Sequence, residues 1–169
     1  MTEARIHHPN QSAESAAHLI ELARGIPIAM LTTVDAEGKL VSRPMSPRQI
    51  TDDGVIWIFA ERDSRDAAEI TVNANVGLTL ASGSSYVSFA GTAQIVDDLA
   101  KARELWDSVV EAWLPDGPED PNAVLIKITA ETGEYWDSPG GRIATVISFL
   151  KAKLTGERFE GGENETVTL

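Results

Sequence analysis

Arginine and serine residues around two predicted strands and a helix form the pattern with the clearest chemical meaning. Arg43 and Arg48 lie five residues apart, on the second strand of a predicted hairpin and at its end. Ser64 and Arg65 stand at the start of the helix that follows the next strand. A serine hydroxyl, free N–H groups at a helix N-terminus and guanidinium groups bind phosphate well, because donors and positive charge meet at one point. The pattern therefore indicates a candidate phosphate site.

A purely structural interpretation of the same residues stays open. The three arginines can form ion pairs with neighbouring carboxylates, and Ser64 can serve only as the cap of the helix. Suitable carboxylates are Asp63, Asp66 and Glu69. On spacing alone, this interpretation is favoured over the phosphate site.

Other catalytic chemistry has little support in the sequence. The chain contains no Cys, which excludes disulfides, thiolate nucleophiles and Cys-based zinc sites. It also lacks a Walker loop, a Rossmann glycine motif, a nucleophile elbow and a His-Glu-x-x-His helix, so hydrolase and kinase activities lose their usual signatures. His18 and Glu21 share one helix face, but one histidine and one carboxylate do not make a metal site. We predict no metal centre.

The composition is that of an acidic globular protein. The 169 residues include 26 Asp and Glu against 14 Lys and Arg, for a formal net charge of -12, and 43% of them are hydrophobic. One domain with an apolar core is expected. The negative charge opposes binding to nucleic acid or to an anionic membrane. Without Cys, a secretory N-terminus or a run of about 20 apolar residues, the expected location is the cytoplasm.

Turn residues and apolar periodicity predict the elements that position the arginines. Glycine-containing turns at 35–38 and 51–54 separate three consecutive antiparallel strands. Gly91 lies inside a long alternating segment and allows a bend there. The predicted strands are 28–34, 39–45, 55–60, 76–81, 86–96 and 123–136, and the predicted helices cover about 12–25, 64–72, 97–113 and 142–154.

The helix predicted over 97–113 carries two tryptophans on its apolar side. Trp106 and Trp113 form one stripe with Ala102, Val109 and Val110. Tryptophans at this spacing are typical of side chains packed in a core. We therefore predict that the whole stripe is buried.

Six strands in hairpin order, interrupted by short helices, predict a mainly β or α+β fold. The expected architecture is an antiparallel barrel with peripheral helices, since consecutive hairpins with alternating faces build such sheets. The barrel domain is expected at residues 12–155. A flexible arm at 1–11 precedes it, and a polar tail at 156–169 follows it.

Four segments, by their order and spacing, resemble the FMN-binding split barrels related to pyridoxamine 5'-phosphate oxidase. The resemblance is strongest to the general stress protein branch of that family and covers about residues 14–155. The segments are Leu40-Val-Ser-Arg-Pro-Met45, Trp57-Ile-Phe-Ala-Glu-Arg-Asp-Ser-Arg65, Tyr86-Val-Ser-Phe-Ala-Gly-Thr-Ala93 and Glu134-Tyr-Trp-Asp137.

This resemblance implies a six-stranded split β-barrel that forms a homodimer, with one FMN in each of two grooves between the subunits. It assigns flavin contacts to two neighbouring strands, phosphate contacts to the start of the helix, and contacts from the partner subunit to two aromatic residues. The cofactor-binding residues implied in this way are Arg43, Pro44, Met45, Arg48, Phe59, Ala60, Ser64, Arg65, Tyr86 and Trp136.

Two residues depart from the family pattern near the implied cofactor. Asp66 follows the Ser-Arg pair where many relatives have Lys, and Ala60 replaces a hydroxyl residue that is common there. A carboxylate near a phosphate lowers affinity through like-charge repulsion, so weakened FMN binding is expected. The chain also lacks the Arg-x-His motif of the vitamin B6 oxidases, so oxidation of pyridoxamine phosphate is not supported.

The leading functional interpretation is an FMN-dependent oxidoreductase or FMN-binding stress protein, with no catalytic residue or substrate assigned. A deazaflavin-dependent reductase ranks below it, because the acidic sequence offers no basic patch for a polyglutamate tail. The alternative from another class is a non-catalytic flavin carrier or a cofactor-free dimeric interaction module. Asp66 and Ala60 favour that alternative, and a visible spectrum of the protein separates the two.

Overall fold

One antiparallel sheet of eight strands forms the body of the protein in the computed structural model, which describes residues 9–83, 85–137 and 163–169. The strands are β1 (Ala29–Val34), β2 (Leu40–Met45), β3 (Pro47–Ile50), β4 (Val55–Glu61), β5 (Asn75–Ala81), β6 (Ser85–Val96), β7 (Ala123–Asp137) and β8 (Glu163–Thr168). The helices are α1 (Pro9–Arg24), α2 (Arg65–Val72), α3 (Leu99–Leu105) and α4 (Ser108–Trp113).

The sheet curls back on itself. Its strands follow the order β2-β1-β5-β6-β7-β4-β3, with β8 paired to β7. The two ends of this path, β2 and β3, are separated in the chain by Ser46 alone. One residue spans only about 3.5 Å, so the two edges of the sheet lie next to each other. The predicted antiparallel barrel is confirmed, and its open seam lies at Ser46.

Alternation along the strands places the core inside the curl. In β4, Ile56, Ile58 and Ala60 are buried, and the residues between them are partly exposed. Helix α1 adds Leu19 and Ile20, both fully buried, so its apolar side packs against the sheet. Other side chains that are almost completely buried are Leu31, Leu78, Leu80, Val87, Phe89, Leu125, Ile126 and Ile128.

Gly91 marks the bend in the longest hairpin. The register of β6 against β7 shifts between Ala90 and Gly91. A Cβ at Gly91 would lie 2.1 Å from the carbonyl oxygen of Thr129, so a side chain has no room there. The predicted bend is therefore confirmed, and close approach of the two backbones requires the glycine.

Two strands were absent from the sequence prediction, which expected six. β3 begins at Pro47, shortly after Pro44 of β2, and two prolines this close argue against a strand. As an edge strand it tolerates Pro47, whose missing N–H costs no ladder bond. β8 falls within the expected polar tail and pairs with the second half of β7. Its Val167 is buried, which the polar composition around it did not indicate.

The predicted helix over 97–113 is two helices, α3 and α4. Asp107 separates them because it is the N-cap of α4. Its carboxylate accepts hydrogen bonds from the backbone N–H groups of Val109 and Val110 at 2.9 and 3.0 Å. Beyond this break only Val110 of the stripe is buried, whereas Val109 and Trp113 are 48% and 81% exposed. The prediction that these two residues are buried is wrong.

The ends of the predicted domain differ from the structure or lie outside it. Helix α1 begins at Pro9, three residues before the predicted Ser12, as the first turn of a helix tolerates proline. The helix predicted over 142–154 and most of the expected arm lie outside the described residues. In the segments that are described, no helix is both long and apolar enough to cross a membrane.

Candidate functional site

A cavity of about 410 Å³ opens at the seam of the barrel. Strands β2 and β3 meet at one side of it, the start of α2 lies at another, and α4 forms an apolar wall. The lining residues are Ile28, Pro44, Met45, Ser46, Arg48, Phe59, Ala60, Glu61, Ser64, Asp66, Val109, Val110, Trp113 and Leu114. The curl of the sheet thus brings together segments that are distant in sequence.

Six of the ten cofactor-binding residues that the resemblance implied line this one cavity. They meet because β3 follows β2 directly and pairs with β4, whose end leads into α2. The side chain of Ala60 is buried, while that of Phe59 is partly exposed toward the seam. The six residues are Pro44, Met45, Arg48, Phe59, Ala60 and Ser64.

Arg48 connects the seam of the sheet to the wall helix. Its Nη2 forms an ion pair with Asp107, and its Nη1 donates to the Ser46 hydroxyl at 3.2 Å. Its Nε is buried and has no hydrogen-bond partner among the described residues. The pKa of Asp107 lies below its ordinary value, mainly because the Val110 N–H donates to it and also because of Arg48. Arg48 is therefore held in place with one donor unsatisfied.

Arg43 and Arg65 do not line the cavity, because both bind the buried Glu69 of α2. Arg43 Nη2 lies 2.7 Å from Glu69 Oε2, and Arg65 Nε lies 2.9 Å from Oε1. The Thr33 hydroxyl donates to Oε2 at 2.5 Å and accepts from Arg43 Nη1 at 3.0 Å. The pKa of Glu69 is lowered, first by the Thr33 hydrogen bond and then by Arg43 and Arg65. The ion-pair interpretation of these arginines describes the contacts in the structure.

The start of α2 combines a helix cap with a carboxylate. The Ser64 hydroxyl accepts from the backbone N–H of Ala67 at 3.3 Å, as an N-cap does. Asp66, the second residue of the helix, lines the cavity and is only 7% exposed. Among the residues that the structure describes, none forms a hydrogen bond or an ion pair with the Asp66 side chain.

Tyr86 and Trp136 lie away from the cavity lining. They face each other directly across β6 and β7 and are 50% and 39% exposed. Residues directly opposite in an antiparallel pair have neighbouring side chains on one face. The two rings therefore form an exposed aromatic surface on the outside of the sheet.

Sequence reasoning missed the wall helix of the cavity. Val109 and Trp113 were assigned to the core, whereas they are exposed and line the cavity; Val110 lines it as well and is buried, as predicted. The signal that identifies them is Asp107, a good N-cap residue in the middle of the supposed helix. Phe59, in turn, holds the region before α4, because its ring makes an edge contact with Trp106 at 5.2 Å.

The contacts of His18 differ from the pairing that its helix face suggested. His18 does not pair with Glu21, and its Nε2 instead lies 3.7 Å from an oxygen of Asp137. The other oxygen of Asp137 accepts from the Ser85 hydroxyl at 2.6 Å. Within the described part of the chain, no three His, Asp or Glu side chains are grouped so as to hold a metal ion.

Comparison with known proteins identifies one family from the sequence. The model of the family described as pyridoxamine 5'-phosphate oxidase like matches residues 14–160. General stress protein 26 of Bacillus subtilis is 34% identical over 110 residues, which are 62% of this chain and 75% of that protein. The residues that the family model matches include the whole lining of the cavity.

Solved structures share the fold. A protein from Jannaschia sp. CCS1, described as a general stress protein 26, superposes with a TM-score of 0.76 at 28% identity, covering 93% of this chain and 99% of that one. A general stress FMN/FAD binding protein from Xanthomonas citri gives a TM-score of 0.60 at 24% identity, covering 77% and 90%. At 24% identity, the similarity to the Xanthomonas citri protein shows a shared fold.

Proposed function

The chain belongs to the pyridoxamine 5'-phosphate oxidase-like family, and on that premise we propose that it binds FMN in the seam cavity. The general stress proteins among its relatives support the branch of the family. The neighbour from Xanthomonas citri, named as an FMN/FAD binding protein, supports a flavin as the ligand. The observation that carries the proposal is the cavity itself, which gathers six of the residues implied for cofactor binding.

The residues present fit a flavin. The cavity of about 410 Å³ falls within the usual size of small-molecule sites, roughly 300–1,000 Å³. Its walls from Met45, Phe59 and Trp113 are apolar, which suits a flat ring system. The buried Nε of Arg48 lacks an acceptor, and a flavin ring carries carbonyl oxygens and ring nitrogens that accept hydrogen bonds.

A bound flavin would supply hydride or electron transfer, and we propose that the protein is a flavin-dependent oxidoreductase on this basis. The chain's own residues bind and orient: Pro44 and Met45 line the ring, and Arg48 donates a hydrogen bond. Because α4 covers one side with Val109 and Val110, it limits the access of water. The substrate remains unassigned.

We further propose that two copies of the chain form a homodimer and complete each other's site. Apolar side chains stay exposed in a way that a second copy would cover, and Tyr86 and Trp136 are the residues by which one copy would reach the flavin of the other. The exposed side chains include Ile28 at 53%, Met30 at 41%, Tyr86 at 50% and Trp136 at 39%.

A second candidate is a flavin carrier or a cofactor-free dimeric module without catalysis. The observation that favours it is the engagement of Arg43 and Arg65 by Glu69, together with the unpaired Asp66 at the cavity. Because these arginines are already paired, less positive charge is available to bind a phosphate, which would weaken cofactor binding. A protein that binds no flavin under saturating conditions would support the cofactor-free module, and one that binds flavin without redox turnover would support the carrier.

Replacing Arg48 tests the assigned cavity. We expect Arg48→Met to weaken FMN binding roughly tenfold or more, because a charged donor is lost from the site. The measurement is quenching of FMN fluorescence in a titration with protein. Arg103→Met is the matched control, since Arg103 also pairs with a carboxylate, Glu119, but lies outside the cavity lining. Equal affinities of the two variants would place the flavin elsewhere.

A further inference from the structure

Every arginine predicted to hold the phosphate is already bound to a carboxylate of the chain. Arg43 and Arg65 share Glu69, and Arg48 pairs with Asp107. Glu69 is 7% exposed and the Arg43 side chain 18%, so this pair is weakly screened, whereas solvent screens the pair with the exposed Arg65 more strongly. A phosphate would have to compete with these ion pairs for the same donors.

Asp66 adds a negative charge at the place where positive charge was expected. An acidic residue in the first turn of a helix is ordinarily stabilised by the helix dipole. Here it is also buried against the cavity without a partner in the described segments. In addition, Oδ2 of Asp35 lies 3.8 Å from Nη2 of Arg65. With Glu61, which also lines the cavity, three guanidinium groups stand against five carboxylates, so the net charge is about -2 before any ligand binds.

We infer that this site recognises the ring and ribityl parts of a flavin but not its phosphate, so that riboflavin and FMN bind with similar affinity. Glu69 and Asp66 are the residues that set this selectivity: Glu69 holds Arg43 and Arg65, and Asp66 repels an anion. The inference rests on the proposed flavin site and concerns which part of the flavin the protein recognises.

The uncharged parts of a flavin meet suitable groups in the cavity. The buried Arg48 Nε can donate to a neutral carbonyl or ring nitrogen. The Asp66 carboxylate lines the cavity and can accept from a hydroxyl of the ribityl chain. Both requirements are satisfied by riboflavin as well as by FMN.

The test compares dissociation constants of FMN and riboflavin, each measured by quenching of flavin fluorescence at low and high salt. For the unmodified protein we expect the two constants to agree within about threefold and the FMN constant to change little with salt. Glu69→Gln frees the two arginines, and Asp66→Asn removes the repelling charge. In each variant FMN should bind about tenfold tighter with a new salt dependence, while riboflavin changes by less than about twofold.

Asp63→Asn is the matched control. It removes the same charge three residues before Asp66, from an exposed side chain outside the cavity lining, and it should leave the ratio of the two constants unchanged. Asp66→Asn keeps the test valid if Glu69→Gln fails to fold.

Three results would overturn the inference. The first is FMN binding more than about thirtyfold tighter than riboflavin in the unmodified protein. The second is an equal gain for both ligands in the variants. The third, binding of neither flavin, would overturn the proposed function as well, and so the two failures are distinguishable.

Discussion

At the scale of single residues, Glu69 connects three parts of the molecule. It receives hydrogen bonds from Thr33 on β1, Arg43 on β2 and Arg65 on its own helix. Removing one partner of a buried ion pair leaves the other charge without compensation. We expect Glu69→Ala to lower the free energy of unfolding by about 3 kcal/mol, measured by chemical denaturation. Glu104→Ala, which breaks an exposed pair with Lys101, should cost less than about 1 kcal/mol.

The charge of Glu69 also predicts how stability depends on pH. Its pKa is lower in the folded chain, because Thr33 donates to it and Arg43 and Arg65 pair with it. A carboxylate of this kind stabilises the fold above its unfolded pKa, about 4.3, and the stabilisation disappears as the pH falls through the lower folded pKa. The stability difference between the unmodified protein and Glu69→Gln should therefore shrink in the acid range. A difference that stays constant there would contradict an ionised Glu69.

At the scale of elements, β8 gives the clearest prediction. Val167 is 3% exposed, while its neighbour Thr166 on the same strand is exposed. Val167→Ala removes two methyl groups from a buried position and should lower the free energy of unfolding by about 1–2 kcal/mol. Thr166→Ala is the control and should change it by less than about 0.5 kcal/mol. Similar losses in the two denaturation curves would show that β8 does not pack against the core.

Local sequence signals predicted the elements that depend on local chemistry. Glycines in turns and alternating apolar residues located six strands, since those patterns directly reflect turn geometry and burial. β8 escaped prediction because it pairs with β7, which lies far from it in the sequence. β3 pairs with the next strand, β4, but it begins at a proline, which argues against a strand. The four residues Pro47–Ile50 show no apolar alternation that would predict a strand.

The candidate site was predictable to a similar degree. The resemblance identified residues on β2, β3 and β4 that the fold then brings to one cavity. It did not show which way Arg43 and Arg65 turn, because that depends on the burial of Glu69 in α2. Nor did it show Trp113 at the cavity, because one capping residue, Asp107, redirects the helix.

At the scale of the whole molecule, charge and exposed apolar surface point to different partners. A net charge of -12 discourages binding to other polyanions. Exposed rings and aliphatic side chains such as Tyr86, Trp136 and Ile28 favour burial against another protein surface. In a two-fold symmetric dimer the same surface of each copy packs against that of the other, and such dimers are the commonest soluble oligomers.

The most direct test of a flavin held between two copies is one chromatographic run. The protein is incubated with FMN, freed of excess ligand, and passed over a size-exclusion column with light scattering and visible absorbance recorded together. Flavin absorbance should co-elute with a particle of twice 18.2 kDa. A colourless peak, or flavin travelling with a particle of 18.2 kDa, would contradict the account.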